Sequence, residues 1–191
     1  MAWTSKDLDP QAVSAAVLSA VDTVVPKAGP LSPSQEPKVE ATDISEYNGG
    51  LRCLGLDKMA NTCYISVVNL YLNQGDLERR KAKGALVIYL EIESASKFFQ
   101  AVQLPFSSDE DDASMMAACG QLAQKIAEAF KSELTGRGFA SLVLSPARNY
   151  KNNVDGIEFS TDQKTKHEIS FFYLKHKSLA IDLTLAPIPK K

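Results

Sequence analysis

Two glutamines three residues apart are the side chains of this sequence whose type and spacing could do chemistry. Gln121 and Gln124 lie in the stretch GQLAQKIAEAF, residues 120–130, which has a helical pattern. Residues three apart on a helix project from one face, so the two amides are expected side by side. An amide offers both a carbonyl oxygen and an NH2 group, and can therefore hold a water molecule. The pair is either ordinary surface or part of a site.

The pattern around these glutamines predicts the longest helix of the chain, from about Asp112 to Leu134, ending at Gly136. One apolar stripe of this helix is expected to face the core: Met115, Cys119, Leu122, Ile126 and Phe130. On the opposite side lie Gln121, Gln124 and Glu128, with Lys125 and Lys131 beside them. Periodicity alone favours a solvated face made of good helix formers.

The other polar clusters have simpler interpretations. The acidic run SSDEDD, residues 107–112, precedes the long helix, where carboxylates cap free N–H groups and interact favourably with the helix dipole. It lacks the regular ligand offsets and the glycine of a calcium loop. His167 and His176 have no third ligand at a suitable spacing, so we interpret them as sheet residues. We predict no metal site, and the common nucleotide, hydrolase and protease motifs do not occur.

Composition excludes several classes of partner. The chain has 191 residues, with 21 basic and 23 acidic side chains, so it lacks the basic excess typical of nucleic-acid-binding proteins or proteins that bind anionic membranes. No run of about 18 apolar residues occurs, and the N-terminal stretch MAWTSKDLDP carries charges where a signal peptide would be apolar. We therefore expect a cytoplasmic protein.

Hydrophobic periodicity divides the chain into three parts. We expect an amphipathic helix within residues 1–26, packed either on the body of the domain or on a neighbouring chain, a proline-rich linker at 27–42, and a domain at 43–191. Strand-like segments lie at 51–56, 62–72, 85–92, 139–144, 154–159, 167–174 and 178–185, and a short helix capped by Ser94 at 94–102. This order predicts an α+β fold, a two-layer sandwich of helices on a largely antiparallel sheet.

The same order resembles the CheC and CheX type of chemotaxis phosphatase domain. The resemblance is carried by GALVIYLEIESASKFFQAVQLPF, an acidic segment, AACGQLAQKIAEAFKSELTGRGF and a strand ending in LVLSP. Members carry a glycine, a glutamate, two spacers and an asparagine on the long helix. Gly120 matches the glycine, Gln121 falls on the glutamate position and Gln124 on the asparagine position.

The resemblance implies a function. Proteins of this type hydrolyse the phosphoaspartate of a CheY-like response regulator, whose receiver domain supplies the magnesium, so no cofactor of the chain's own is expected. The helix acid pairs with a regulator lysine, and the helix amide orients water for in-line attack. The implied binding residues here are Gln121, Gln124, Lys125 and Glu128, with Gln121 and Gln124 as the catalytic pair. The resemblance also implies a homodimer formed through sheet strands.

The chain departs from this pattern at both positions. Gln124 keeps the groups that can hold water, with one more methylene and more rotamer freedom. Gln121 can hydrogen-bond a lysine but cannot supply the charge of an ion pair. Three readings remain: an altered phosphatase, a module that docks a response regulator with weak or no turnover, and a domain that functions by self-association. We favour the second, because loss of the acid damages chemistry more than docking.

Overall fold

The computed structural model describes residues 10–27, 31–47, 50–53, 59, 61–151, 157–159, 163–173 and 175–190. The helices are α1 (Pro10–Val24), α2 (Gln74–Glu78), α3 (Ile92–Ala101) and α4 (Asp112–Gly136). The strands are β1 (Pro33–Asp43), β2 (Ser45–Tyr47), β3 (Gly50–Cys53), β4 (Cys63–Tyr71), β5 (Gly84–Glu91), β6 (Val143–Leu144), β7 (Arg148–Lys151), β8 (Ile157–Phe159), β9 (Thr165–Tyr173) and β10 (His176–Leu185).

An antiparallel sheet of seven strands forms the centre of the protein. Its order is β1-β9-β10-β5-β4, and β6 and β7 both pair with the outer side of β4. A separate small sheet contains β2, β3 and β8. Every residue of β4 and β5 is buried, which explains their almost continuous apolar sequences. The predicted α+β fold, with helices on a largely antiparallel sheet, is confirmed.

The sheet has an apolar cluster on each face. On the helix side, Leu86 and Ile181 pack with Phe130 of α4 in the larger cluster. On the other side, Val87 and Tyr89 belong to a second, smaller cluster. Since side chains alternate between faces along a strand, residues 86 and 87 necessarily serve different clusters.

The N-terminal helix is confirmed, but the linker that should follow it is wrong. Val13, Val17 and Val21 of α1 are buried, and α1 packs against α4 of the same chain. Residues 33–43 of the proposed linker form β1, which pairs with β9 at the edge of the sheet. The division into helix, linker and domain is therefore also wrong, because α1 and β1 are parts of the one packed body.

The linker interpretation failed because β1 has almost no buried face. Nine of its eleven residues are exposed, so the strand needs no alternating apolar pattern. Proline is tolerated at a sheet edge, where the missing N–H costs no ladder bond. The register of β1 and β9 is irregular on both sides of Gln35, between Pro33 and Lys38. Composition alone does not distinguish such a strand from a loop.

Smaller boundaries also differ from the predictions. The short helix begins at Ile92, and Ser94 does not cap it; the Ser94 hydroxyl donates to Glu91 Oε2 at 2.7 Å. The strand expected at 139–144 is reduced to β6, and β7 was not predicted. Of the segments expected at 51–56 and 154–159, only residues 51–53 and 157–159 lie within the described part of the chain.

Candidate functional site

Helix α4 buries one side and presents Gln121 and Gln124 on the other. All five residues of the predicted core stripe are buried: Met115, Cys119, Leu122, Ile126 and Phe130. Gln121, Lys125 and Glu128 are exposed, and Gln124 is partly buried. The helix is anchored at its start by Asp111, whose side chain accepts from the Ser114 amide at 3.2 Å. The predicted face is therefore present on a long, packed helix.

These four residues border one shallow groove of about 540 Å³. Its other wall is formed by Thr23 and Val24 at the end of α1 and by Val102 after α3. The groove thus combines two apolar side chains with two amides, one cation and one anion. Sequence analysis did not predict the contribution of α1, because it assigned that helix no fixed position.

The amides of the groove are available to a ligand. Within the described residues, neither Gln121 nor Gln124 makes a side-chain hydrogen bond, and Lys125 makes no ion pair. Glu128 forms a loose pair with Lys131, 3.5 Å between Oε2 and Nζ, with both side chains partly solvated. Such an exposed pair contributes at most about 1 kcal/mol and is easily exchanged for another partner.

A further amide, Asn149 of β7, lies against α4 at Gly120. A Cβ atom on Gly120 would lie 2.6 Å from Asn149 Oδ1 and 2.7 Å from Asn149 Nδ2, closer than side chains pack. Glycine inside a helix costs about 1 kcal/mol relative to alanine. Its presence therefore signalled a close approach to the helix at Gly120, although the sequence could not show which residue approaches.

No family model matches the chain, and no curated protein matches it in sequence. Several solved structures resemble it. A CheC-like superfamily protein from Shewanella sp. PV-4 has a TM-score of 0.57 and 14% identity, covering 91% of this chain and 94% of its own. The chain has the CheC-like fold.

Two CheX structures show the same fold. CheX of Borrelia burgdorferi, in a complex with CheY, BeF3 and Mg2+, has a TM-score of 0.57 and 14% identity, covering 94% of this chain and 99% of its own. CheX from Vibrio vulnificus has a TM-score of 0.53 and 12% identity, covering 91% and 96%. The predicted resemblance is thus confirmed, and at these identities it concerns the CheC-like fold alone.

Asp112, the last residue of the acidic run, connects the start of α4 to the sheet. Asp112 accepts from Lys151 Nζ at 2.5 Å and from the hydroxyl of the buried Tyr64 at 2.9 Å. The Lys151 hydrogen bond, followed by that of Tyr64, lowers the pKa of the Asp112 carboxyl. Burial and the Asp112 carboxylate in turn raise the pKa of Tyr64. These contacts join β4, β7 and α4, which positions the exposed face of the helix.

His167 and His176 lie away from the groove. His167 Nδ1 is 3.0 Å from Ser14 Oγ, and burial lowers its pKa. His176 Nε2 lies 2.5 Å from Glu91 Oε2 and 3.4 Å from Ser94 Oγ. Because serine and glutamate meet the same ring nitrogen, this trio does not have the arrangement of a catalytic triad.

No group of three or more His, Cys, Asp or Glu side chains in the described part of the chain could hold a metal ion. None of the described helices combines the length and apolar character needed to cross a bilayer.

Proposed function

We propose that the protein docks the receiver domain of a response regulator on the exposed face of α4, with weak or no dephosphorylation of that regulator. The observation that carries the proposal is the pair of unbonded amides, Gln121 and Gln124, on the solvent face of a long helix in a CheC-like fold. A CheX protein of the same fold was crystallised with CheY, BeF3 and Mg2+.

The groove suits recognition of a protein surface. Val24 and Val102 offer apolar contact, while Lys125 and Glu128 supply opposite charges at its border. Rim charges of this kind act mainly on association rate and orientation. The docked receiver would bring its own Mg2+, and the chain would act in the cytoplasm, where such regulators are found.

The groove is less suited to catalysis than to docking. Gln121 lacks the carboxylate that would pair with a regulator lysine, so that contact is reduced to a neutral hydrogen bond. Gln124 can still orient water, but its longer side chain must lose more rotamer freedom to do so. Slow turnover through Gln121 and Gln124 is the alternative form of the same proposal.

Binding and phosphate release from one set of variants test the proposal. Receiver domains of the source organism, with Mg2+ and beryllofluoride, are titrated against the wild type and Gln124→Ala by calorimetry. Gln11→Ala is the matched control, an exposed glutamine near the start of α1, about 20 Å along that helix from the groove. The same proteins are then tested for phosphate release from receiver domains labelled on aspartate.

The outcomes separate the alternatives. Binding that is weakened by Gln124→Ala but not by Gln11→Ala, without faster phosphate release, supports a docking module. Faster release that disappears in Gln124→Ala supports the phosphatase. Absence of binding and of release with every receiver domain of the organism rejects both.

A second candidate function, self-association, is favoured by the free edge of the sheet. Strand β1 pairs with β9 on one side and with no other strand of the described sheet, and Val39 is 40% exposed there. Unpaired strand edges are templates for pairing with another chain. Analytical ultracentrifugation of the wild type and of Val39→Lys tests this: a dimer that dissociates in the variant supports it, and a monomeric wild type rejects it.

A further inference from the structure

Asn149 is held in one orientation by the residue opposite it in the sheet. Asn149 and Ser66 are cross-strand partners on β7 and β4, and the Ser66 hydroxyl donates to Asn149 Oδ1 at 2.8 Å. Ser66 is completely buried, whereas Asn149 is exposed. The carbonyl end of the amide is thus fixed from inside the protein, and both ends of the amide lie against α4 at Gly120.

The Ser66 hydroxyl determines which end of the Asn149 amide is free. A hydroxyl has one proton, and Ser66 donates it to Asn149 Oδ1. This contact leaves Nδ2 as the donor that the Asn149 amide can offer to a ligand.

Asn149 lies on the same side of α4 as Gln124. Gly120 and Gln124 are four residues apart, one turn of the helix, and helical side chains lean toward the N-terminus. Gln124 therefore lies one turn along α4 from the position at which Asn149 meets the helix. No hydrogen bond of Asn149 Nδ2 occurs within the described part of the chain.

We propose that Asn149 is a third amide of the recognition surface, and that its Nδ2 group donates a hydrogen bond to the phosphoryl group of the receiver domain docked on α4. This inference rests on the function proposed above and adds a residue to it. A phosphoryl group presents charged oxygens, which bind best to donors that are already oriented. Asn149 is oriented by a buried hydroxyl, whereas Gln121 and Gln124 must each be ordered on binding.

Asn149→Asp tests this role directly. Aspartate retains an oxygen that accepts from Ser66, but it replaces the outward donor with a negative charge next to the phosphoryl site. Asn73→Asp is the matched control: aspartate keeps the Oδ1 cap of α2 and adds the same charge elsewhere, with loss of only an exposed hydrogen bond from Asn73 Nδ2 to Asp76 Oδ2. Both variants are expected to melt close to the wild-type temperature.

The measured quantity is the affinity for receiver domains with Mg2+, in the presence and absence of beryllofluoride. We expect the wild type and Asn73→Asp to bind the beryllofluoride form more tightly. In Asn149→Asp the ratio of the two affinities is expected to be about tenfold smaller. The side-chain amide resonance of Asn149 is expected to shift on binding of the beryllofluoride form only, which a purely structural residue would not show.

Gly120→Ala tests the same geometry from the helix side. The new methyl group would take the space of the Asn149 amide rather than reach solvent, since Gly120 is buried. The gain in helix propensity and the loss of the Ser66 hydrogen bond act in opposite directions and are each about 1 kcal/mol, so the variant is expected to fold. The variant is expected to lose the same preference as Asn149→Asp.

Two results would overturn the inference in distinguishable ways. A wild type that prefers the beryllofluoride form, with Asn149→Asp and Gly120→Ala unchanged, rejects the role of Asn149 and leaves the docking function standing. A wild type that binds no receiver domain in either form rejects the docking function and this inference together.

Discussion

Lys166 Nζ lies 2.6 Å from Asp182 Oδ2 across β9 and β10, and the two side chains are only 5% and 1% exposed. Tyr89 on β5 donates its hydroxyl to the same carboxylate oxygen at 3.0 Å. A charged pair is thus enclosed beside the second apolar cluster, on the sheet face that does not carry α4. Removal of Asp182 leaves the buried Lys166 ammonium with a looser ion pair, to Glu168 Oε2 at 3.9 Å, in place of the pair at 2.6 Å.

We expect Asp182→Ala to lower the free energy of unfolding by about 3 kcal/mol, because Lys166 keeps only its looser pair with Glu168. The double variant Lys166→Met/Asp182→Leu is expected to be less destabilised than Asp182→Ala, since neither charge remains. Urea denaturation measures both. Asp22→Ala is the control, because its pair with Lys27 is about half exposed and contributes at most about 1 kcal/mol. Equal losses for Asp182→Ala and Asp22→Ala would contradict the role of burial.

Gly84→Ala is expected to destabilise the sheet by about 3 kcal/mol or more. A Cβ atom at this position would lie 2.0 Å from the Thr184 carbonyl oxygen and 2.8 Å from Leu185 Cα. These are backbone atoms of the paired strand β10 and cannot rotate away. Gly136→Ala is the control, since nothing lies within 4 Å of a Cβ there, and it is expected to stabilise by up to about 1 kcal/mol. Thermal melting of the two variants decides the matter.

The contacts of Glu91 predict a loss of stability in acid. Burial raises the pKa of this carboxyl, but hydrogen bonds from Ser94, Asn61 and His176 outweigh it and hold the pKa below its usual value of 4.5. A depressed pKa means that folding favours the carboxylate form of Glu91 over the carboxylic acid. Its contribution is therefore complete above 4.5 and is lost as the pH falls through the lowered pKa.

Urea unfolding of wild type and Glu91→Gln between about pH 3 and pH 7 measures this contribution. We expect Glu91→Gln to be less stable at neutral pH and to lose less stability on acidification. Parallel pH profiles for the two proteins would show that Glu91 does not contribute to acid sensitivity.

The double change Gln121→Glu/Gln124→Asn tests whether the groove can regain catalysis. It supplies a carboxylate for a regulator lysine and a shorter amide for water, both on the exposed face of α4. We expect dephosphorylation of a bound receiver domain to become faster, by about tenfold or more. The single change Gln121→Glu should account for part of the gain. No acceleration with a receiver that binds would count against a phosphatase geometry.

Local sequence patterns predicted α4 well and β1 poorly, for a physical reason. The stripe from Met115 to Phe130 faces one core along its whole length, so its period shows directly in the sequence. Strand β1 is held by backbone hydrogen bonds at a sheet edge, and hydrogen bonds of that kind impose no side-chain pattern. A proline-rich composition then resembles a linker.

The amide pair could be found from spacing, but Asn149 could not. Gln121 and Gln124 are neighbours through the helix itself, whereas Asn149 reaches Gly120 only after β7 has paired with β4. Glu91 and His176 are likewise joined by the pairing of β5 and β10. Local periodicity carries no information about contacts between residues so distant in the chain.

The central position of β10 sets the order in which this sheet can be completed during synthesis. Strand β5 lies between β4 and β10, so its second edge stays unpaired until residues 176–185 have left the ribosome. Strand β1, made early, must also wait for β9. Such distant pairings slow folding. The apolar segment GALVIYLE, residues 84–91, is therefore exposed to wrong pairing on the nascent chain until β10 is made.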